Sequence, residues 1–170
     1  MSPDKIPDAE QLCAALLEQM RPAVQPNTVM IGVHTGGAWI AEKLHAALGL
    51  TSPLGMLDIS FYRDDFARVG LNPQVRKSTI PFDIEDAAII LVDDVLYTGR
   101  TVRAAMNELF DYGRPSRIDL AVLVDRGGRE LPVAARFTGA NLELRDNQSL
   151  NLARDGGGHL SFSLVEKSTA

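Results

Sequence analysis

A chain of 170 residues with 45% hydrophobic and 23% charged residues has the length of one domain and enough apolar side chains for a core. A formal net charge of −5 sets it apart from strongly basic nucleic-acid binders, and no apolar run approaches the roughly 20 residues of a membrane span. Cys13 is the only cysteine, which excludes an internal disulfide, and a start (MSPDKIPDAE) without a basic stretch and apolar run makes the cytoplasm the expected location.

Ala9, Leu12, Cys13, Leu16, Leu17 and Met20 recur at helical spacing and predict an amphipathic helix that ends before Pro22. Pro22 and Pro26 then lead into a strand over 29–33. His34, Thr35, Gly36 and Gly37 form a loop at its carboxyl end, where small residues let the backbone approach a ligand closely. A second helix carries Ile40, Leu44, Ala47 and Leu48 on its apolar side and closes near Gly49; a second strand covers 55–61. The polar stretch 62–77 holds Gly70 and Pro73 and shows little periodicity, which reads as a mobile loop or an exposed hairpin.

The run IILVDDVLYTGRT at 89–101 is the most informative part of the chain. Ile89, Ile90, Leu91 and Val92 suit a buried strand, and Asp93 and Asp94 follow at its carboxyl end, where open α/β sheets bind ligands. From Thr101 the positions Val102, Ala105, Met106, Leu109 and Phe110 predict a helix, with Gly113 at its expected stop. The turn Tyr97 to Thr101 thus offers backbone N–H groups and hydroxyls at a helix N-terminus, a setting that favours an anion by about 0.3–1 kcal/mol per charge. Acids after a strand often merely open a loop. Here strand, paired acids, Thr-Gly turn and helix stand in one order that suits a phosphorylated ribose: vicinal hydroxyls donate to the carboxylates while the 5-phosphate sits in the turn.

Ile118 to Val124 is another apolar strand, ending in Asp125 and Arg126, and the repeated strand, loop and helix units predict a parallel sheet with right-handed crossovers. Leu150 and Leu152, then Leu160, Phe162 and Leu164, alternate with mostly polar residues around Gly156 to Gly158 and predict a terminal hairpin.

The segment VDDVLYTGRT closely resembles the phosphoribosyl pyrophosphate (PRPP) motif of type I phosphoribosyltransferases. More narrowly, VDDVLYTGRTVRAAM at 92–106, GRPSRIDLAVLVDRGGRELP at 113–132 and DISFYRDDF at 58–66 resemble the PyrR family, which joins pyrimidine operon attenuation to uracil phosphoribosyltransferase activity. The resemblance implies an α/β fold of the type I phosphoribosyltransferase kind, one domain over 1–170. Its central sheet would be mostly parallel and flanked by helices, with a small hood or lid region, the stretch 62–77 as lid, and a C-terminal β-hairpin. It further implies that uracil and PRPP give UMP and diphosphate.

In that reading Asp93, Asp94, Val95, Leu96, Tyr97, Thr98, Gly99, Arg100 and Thr101 bind PRPP or nucleotide. His34, Thr35, Gly36 and Gly37 form the diphosphate loop, although the arginine usual there is absent. Asp93, Asp94 and Arg63 are the candidate catalytic residues. Val124, Asp125 and Arg126 are placed at the base, largely through main chain. Tyr97 stands where purine-using relatives carry an aspartate and so argues against hypoxanthine and guanine. Mg²⁺ is expected as a passenger on PRPP, with no dedicated protein metal site, because it binds diphosphates with few protein ligands. A ribosyl cation must be kept from water, which gives 62–77 a role as lid; a plain solvated connection is the competing reading.

The family resemblance also implies UMP or UTP sensing, pyr leader mRNA as a partner and a homo-oligomer of two or more copies. Arg129 and Arg136 are the candidate RNA contacts. Gly128 and Ala140 stand where the family carries RGHREL and GKN, removing up to two phosphate contacts. Two other readings are carried forward: an RNA-binding attenuator with little catalysis, and a phosphoribosyl-nucleotide-binding protein without turnover.

Overall fold

The computed structural model describes residues 5–60 and 78–168. Helix α1, Ala9–Met20, is capped by Asp8, whose carboxylate accepts the N–H groups of Glu10 and Gln11 at 2.9 and 3.1 Å. Such a cap is worth about 0.5–2 kcal/mol. A 3₁₀ turn, Arg21–Ala23, then uses Pro22 near its start and ends the helical run. Strand β1, Thr28–Val33, follows, and helix α2, Gly36–Leu48, ends on Gly49 in the left-handed conformation (φ 63°).

Strand β2 is short, Gly55–Leu57, and β3 is long, Ala88–Leu96. After β3 come helix α3, Arg100–Tyr112, strand β4, Arg117–Asp125, and strand β5, Phe137–Asn141. The five strands form one parallel sheet in the order β2-β1-β3-β4-β5. Strands β6, Gln148–Arg154, and β7, Leu160–Glu166, pair antiparallel as a separate hairpin.

Alternation along the strands sorts the core into two layers. Met30, Ile90, Val92, Ala121 and Leu123 face α1, α2 and the hairpin residues Leu152, Leu160 and Phe162. Val29, Ile31, Ile89, Leu91, Leu120 and Val122 face α3 through Val102, Ala105 and Leu109. Side chains that alternate across the pleat while remaining buried on both faces are what a covered parallel sheet requires.

Several expectations need correction. The strand expected over 55–61 stops at Leu57; Asp58 turns the chain by accepting the Ser60 N–H at 2.9 Å, so the backbone leaves the sheet. Gly36 and Gly37 are the first turn of α2 rather than loop, and α3 begins at Arg100, one residue early. Asp93 and Asp94 lie inside β3, which runs on to Leu96 because Asp93, Val95 and Leu96 keep pairing with Val122, Val124 and Asp125. The expected lid 62–77, with Arg63, lies outside the described residues.

Candidate active site at the carboxyl edge of the sheet

The carboxyl ends of β1, β3 and β4 converge, and glycines let them do so. A β-carbon on Gly37 would run into the Val92 carbonyl oxygen and stand 2.9 Å from Asp93 Cα; one on Gly36 would stand 2.5 Å from Asp94 Oδ2. The start of α2 is thereby seated directly against the acid-bearing stretch of β3. Asp93 is buried, and its Oδ1 accepts the Asp94 N–H at 2.9 Å. Asp94 Oδ1 accepts the Val95 N–H at 2.8 Å, which fixes that carboxylate beside the loop His34 to Gly36. Asp94 shares a cavity of about 340 Å³ with His34, Thr35, Gly36 and Ser60, and Asn151 and Leu152 of β6 close its far side.

The turn after β3 is held by its carbonyls. Leu96 O accepts the Arg126 N–H at 3.0 Å, Tyr97 O accepts Arg129 Nη1 at 2.8 Å, and Thr98 O accepts the N–H groups of Glu130 and Leu131 at 2.9 and 3.1 Å. Each peptide is planar with C=O and N–H opposed, so the N–H groups of Thr98 and Gly99 face away from the 126–131 loop. Arg100 N–H is steadied by Thr98 Oγ1 at 3.2 Å. Gly99 takes φ 91°, and a β-carbon there would stand 2.5 Å from Val133 Cγ2, so only glycine fits. The backbone at the N-terminus of α3 thus has the geometry of an anion cradle.

On the other side of Tyr97 lies a second cavity of about 530 Å³, lined by Asp125, Arg126, Gly127, Arg129, Asn141, Leu142 and Glu143. The buried Arg126 lays its guanidinium 3.9 Å from the centre of the Tyr97 ring and donates to the carbonyls of Gln148 and Arg145 at 2.9 and 3.3 Å. Asp125 uses its carboxylate on Gly127 N–H at 2.9 Å and on Arg129 at 2.5 Å, and its carbonyl on Leu142 N–H at 2.9 Å. Val124 is fully buried in β4.

The structure therefore brings together Asp93 and Asp94, the stretch Val95 to Thr101 from the end of β3 to the start of α3, the stretch His34 to Gly37 leading into α2, and the segment Val124 to Arg126. It does not bring Arg129 and Arg136 together: Arg136 donates to Asp119 at 2.7 Å, near the amino end of β4. Sequence reasoning missed Asn151 and Leu152 on one side of the site and Leu142 and Glu143 on the other. Only the fold reveals them, since no motif marks the start of the hairpin or the end of β5.

Among the described residues no three His, Cys, Asp or Glu side chains cluster to hold a metal. The oxygens of Asp94, Thr35 and Ser60 fit a hard cation that keeps most of its waters.

Paired acids near the carboxyl end of β3, a turn leading into the N-terminus of α3 and two cavities, one lined by Asp94 and one by Asp125 and Arg126, make up the candidate site. The model of the Phosphoribosyl transferase domain family matches residues 4–149. A Bifunctional protein PyrR of Nitrosococcus oceani is 51% identical over 155 residues, covering 90% of this chain and 86% of that protein. Another, from Pseudomonas syringae pv. tomato, is 52% identical over 140 residues, covering 82% and 81%. The chain belongs to the PyrR family.

Among solved structures, a hypoxanthine phosphoribosyltransferase of Staphylococcus aureus shares the fold with a TM-score of 0.65 at 17% identity, covering 85% of this chain and 80% of that one. A purine phosphoribosyltransferase of Pyrococcus horikoshii superposes with a TM-score of 0.59 at 27% identity, covering 79% and 83%.

Proposed function

We propose that this chain transfers the phosphoribosyl group of PRPP to uracil, giving UMP and diphosphate. The observation that carries this reading is the placement of Asp94 and the anion cradle between two cavities, one toward the diphosphate loop and one toward Arg126. The 5-phosphate would take the N–H groups of the turn Tyr97 to Thr101, and Asp93 and Asp94 the ribose hydroxyls. The bond from the ribose carbon to diphosphate breaks toward His34 to Gly37 as that carbon gains positive charge; uracil N1 bonds to the carbon, and its proton passes to the departing diphosphate or to water. Mg²⁺ bound to PRPP would supply neutralising charge for the diphosphate, and Asp94, Thr35 and Ser60 are the residues of this chain whose oxygens would face it. Catalysis by this chain's own residues is then chiefly positioning and electrostatic stabilisation.

Purified protein supplied with PRPP, Mg²⁺ and uracil, hypoxanthine or orotate should release pyrophosphate with uracil alone. Rapid turnover of hypoxanthine would overturn the base assignment and the reading of Tyr97.

A second activity is supported by the word bifunctional in the relatives' name. In this reading UMP or UTP bound at the same site promotes binding to a pyrimidine-gene leader RNA, by a homo-oligomer as is common for soluble enzymes. Titration of leader RNA against salt, with and without UMP, tests it: nucleotide-independent binding would leave the enzyme alone. No helix among the described residues is long and apolar enough to cross a membrane.

A further inference from the structure

On the phosphoribosyl-transfer reading, we propose that Arg129 is the positioning residue that shapes the phosphate cradle and ties it to the base cavity. An arginine on a glycine-rich loop invites assignment to an external phosphate such as RNA. Its hydrogen bonds say otherwise. Nη1 donates to Tyr97 O at 2.8 Å, Nη2 to Asp125 Oδ2 at 2.5 Å and Nε to Val133 O at 3.1 Å. All three nitrogens point inward, and the side chain is only 25% exposed.

The three acceptors belong to three separate segments: the turn after β3, the end of β4 and the return toward β5. A planar guanidinium presents its donors in a fixed fork, so it sets these segments relative to one another in a way a point-like ammonium does not. Holding Tyr97 O fixes the plane of the Tyr97–Thr98 peptide, and with it the direction of the Thr98 N–H into the cradle. Holding Asp125 balances a negative charge that would otherwise stand beside a phosphorylated substrate.

The loop is built to return this side chain. Gly127 and Gly128 take φ 71° and 73°, consecutive left-handed residues that fold the backbone over the turn. A β-carbon on Gly128 would strike the Tyr97 ring, so the close approach of loop to turn depends on its absence. Glu130 adds a second strut, its carboxylate accepting from Arg100 Nε at 2.8 Å.

The test uses R129Q and R129K beside the wild type, with kinetics by pyrophosphate release, ribose 5-phosphate binding by calorimetry, leader-RNA binding and thermal melts. Loss of a charge-assisted network should raise both the KM for PRPP and the Kd for ribose 5-phosphate about tenfold or more while the fold persists. R129K should stay closer to R129Q than to the wild type, because it restores the charge without the fork; it also carries the test if R129Q does not fold. Both constants within about twofold of wild type, with the loss confined to kcat or to RNA affinity, would overturn the proposal. A wild type that turns over no uracil would sink the enzymatic reading instead, and the ribose 5-phosphate comparison would still decide the role of Arg129.

Discussion

Two arginine–aspartate clusters sit at opposite ends of β4 and use the same residue types to different effect. At the carboxyl end, Arg129 and Asp125 are 25% and 18% exposed, and the remaining donors of Arg129 go to main-chain carbonyls of two other segments. At the amino end, Arg117 and Arg136 both meet one oxygen of Asp119, at 2.8 and 2.7 Å, with the arginines 56% and 41% exposed. A shallow hollow of about 150 Å³ lies beside them. The first cluster orders backbone of the candidate site; the second neutralises charge at a rim. What separates them is how the guanidinium is used: one that reaches carbonyls in two loops transmits position, whereas two exposed guanidiniums sharing one carboxylate oxygen transmit little.

The largest effects should fall at the carboxyl end. Asp94→Asn keeps the shape and the hydrogen bond to Val95 N–H available but removes the charge proposed to meet ribose, and kcat/KM for PRPP should drop about 100-fold, as for loss of hydrogen bonds to a charged group. Steady-state kinetics checks this, and a change below threefold would remove Asp94 from the site. Next is Gly37→Ala, whose new methyl meets the Val92 carbonyl and must push α2 away from β3. Overpacking of this kind costs about 1–3 kcal/mol, a fall in Tm of roughly 3–10 °C for a chain this size. A rise in the KM for PRPP should accompany the melt, since the proposed diphosphate loop leads directly into α2.

These two residues also show what the sequence made legible. The acids and the Thr-Gly turn could be read from residue order alone, because strand, acids, turn and helix are contiguous and each has a local signal. Gly37 was legible as a small residue near a ligand, yet its actual constraint, the Val92 carbonyl, is a contact between β1-α2 and β3 that no local pattern reports. Strand β3 was read too short because Asp93 and Asp94 disfavour strand by propensity; pairing with Val122 and Val124 overrides that preference. The internal partners of Arg129 are illegible for the same reason: its three acceptors, Tyr97, Asp125 and Val133, come together only when β3 and β4 lie side by side.

Between the two ends in expected effect stands Glu10, which, like Arg129, takes a main-chain partner. Its Oε1 accepts the Leu160 N–H at 2.7 Å and lies 3.0 Å from Lys43 Nζ, joining α1, α2 and the hairpin that walls the site. Burial pushes the Glu10 carboxyl up, but the Leu160 N–H, Lys43 and His159 outweigh it together and hold the group below the ordinary glutamate value of 4.5. A folded-state value lower than the unfolded one adds stability that is present above the unfolded value and lost as pH falls through the folded one. Glu10→Gln should therefore cost about 1 kcal/mol near neutral pH and progressively less in acid. Urea melts of both proteins across pH would show the curves converging; a gap that persists in acid would deny the carboxylate this role.

The smallest effect belongs to the amino-end cluster. Arg117→Gln leaves Arg136 on Asp119, so the carboxylate keeps a partner, and the exposed pair that is lost should cost at most about 0.5 kcal/mol. Arg136→Gln should cost somewhat more, since this guanidinium also lies 5.0 Å from the centre of the Phe137 ring, a contact worth about 0.5–1 kcal/mol at exposed sites. Removing both arginines leaves Asp119, 15% exposed, without either partner, so the double variant should lose more than the sum of the singles. Denaturant melts measure that excess, while the KM for PRPP in Arg117→Gln should not move, because among the described residues no hydrogen bond from this cluster reaches the turn after β3. A tenfold rise there would mean that position travels along β4 from one end of the sheet to the other, and the distinction between the two clusters would collapse.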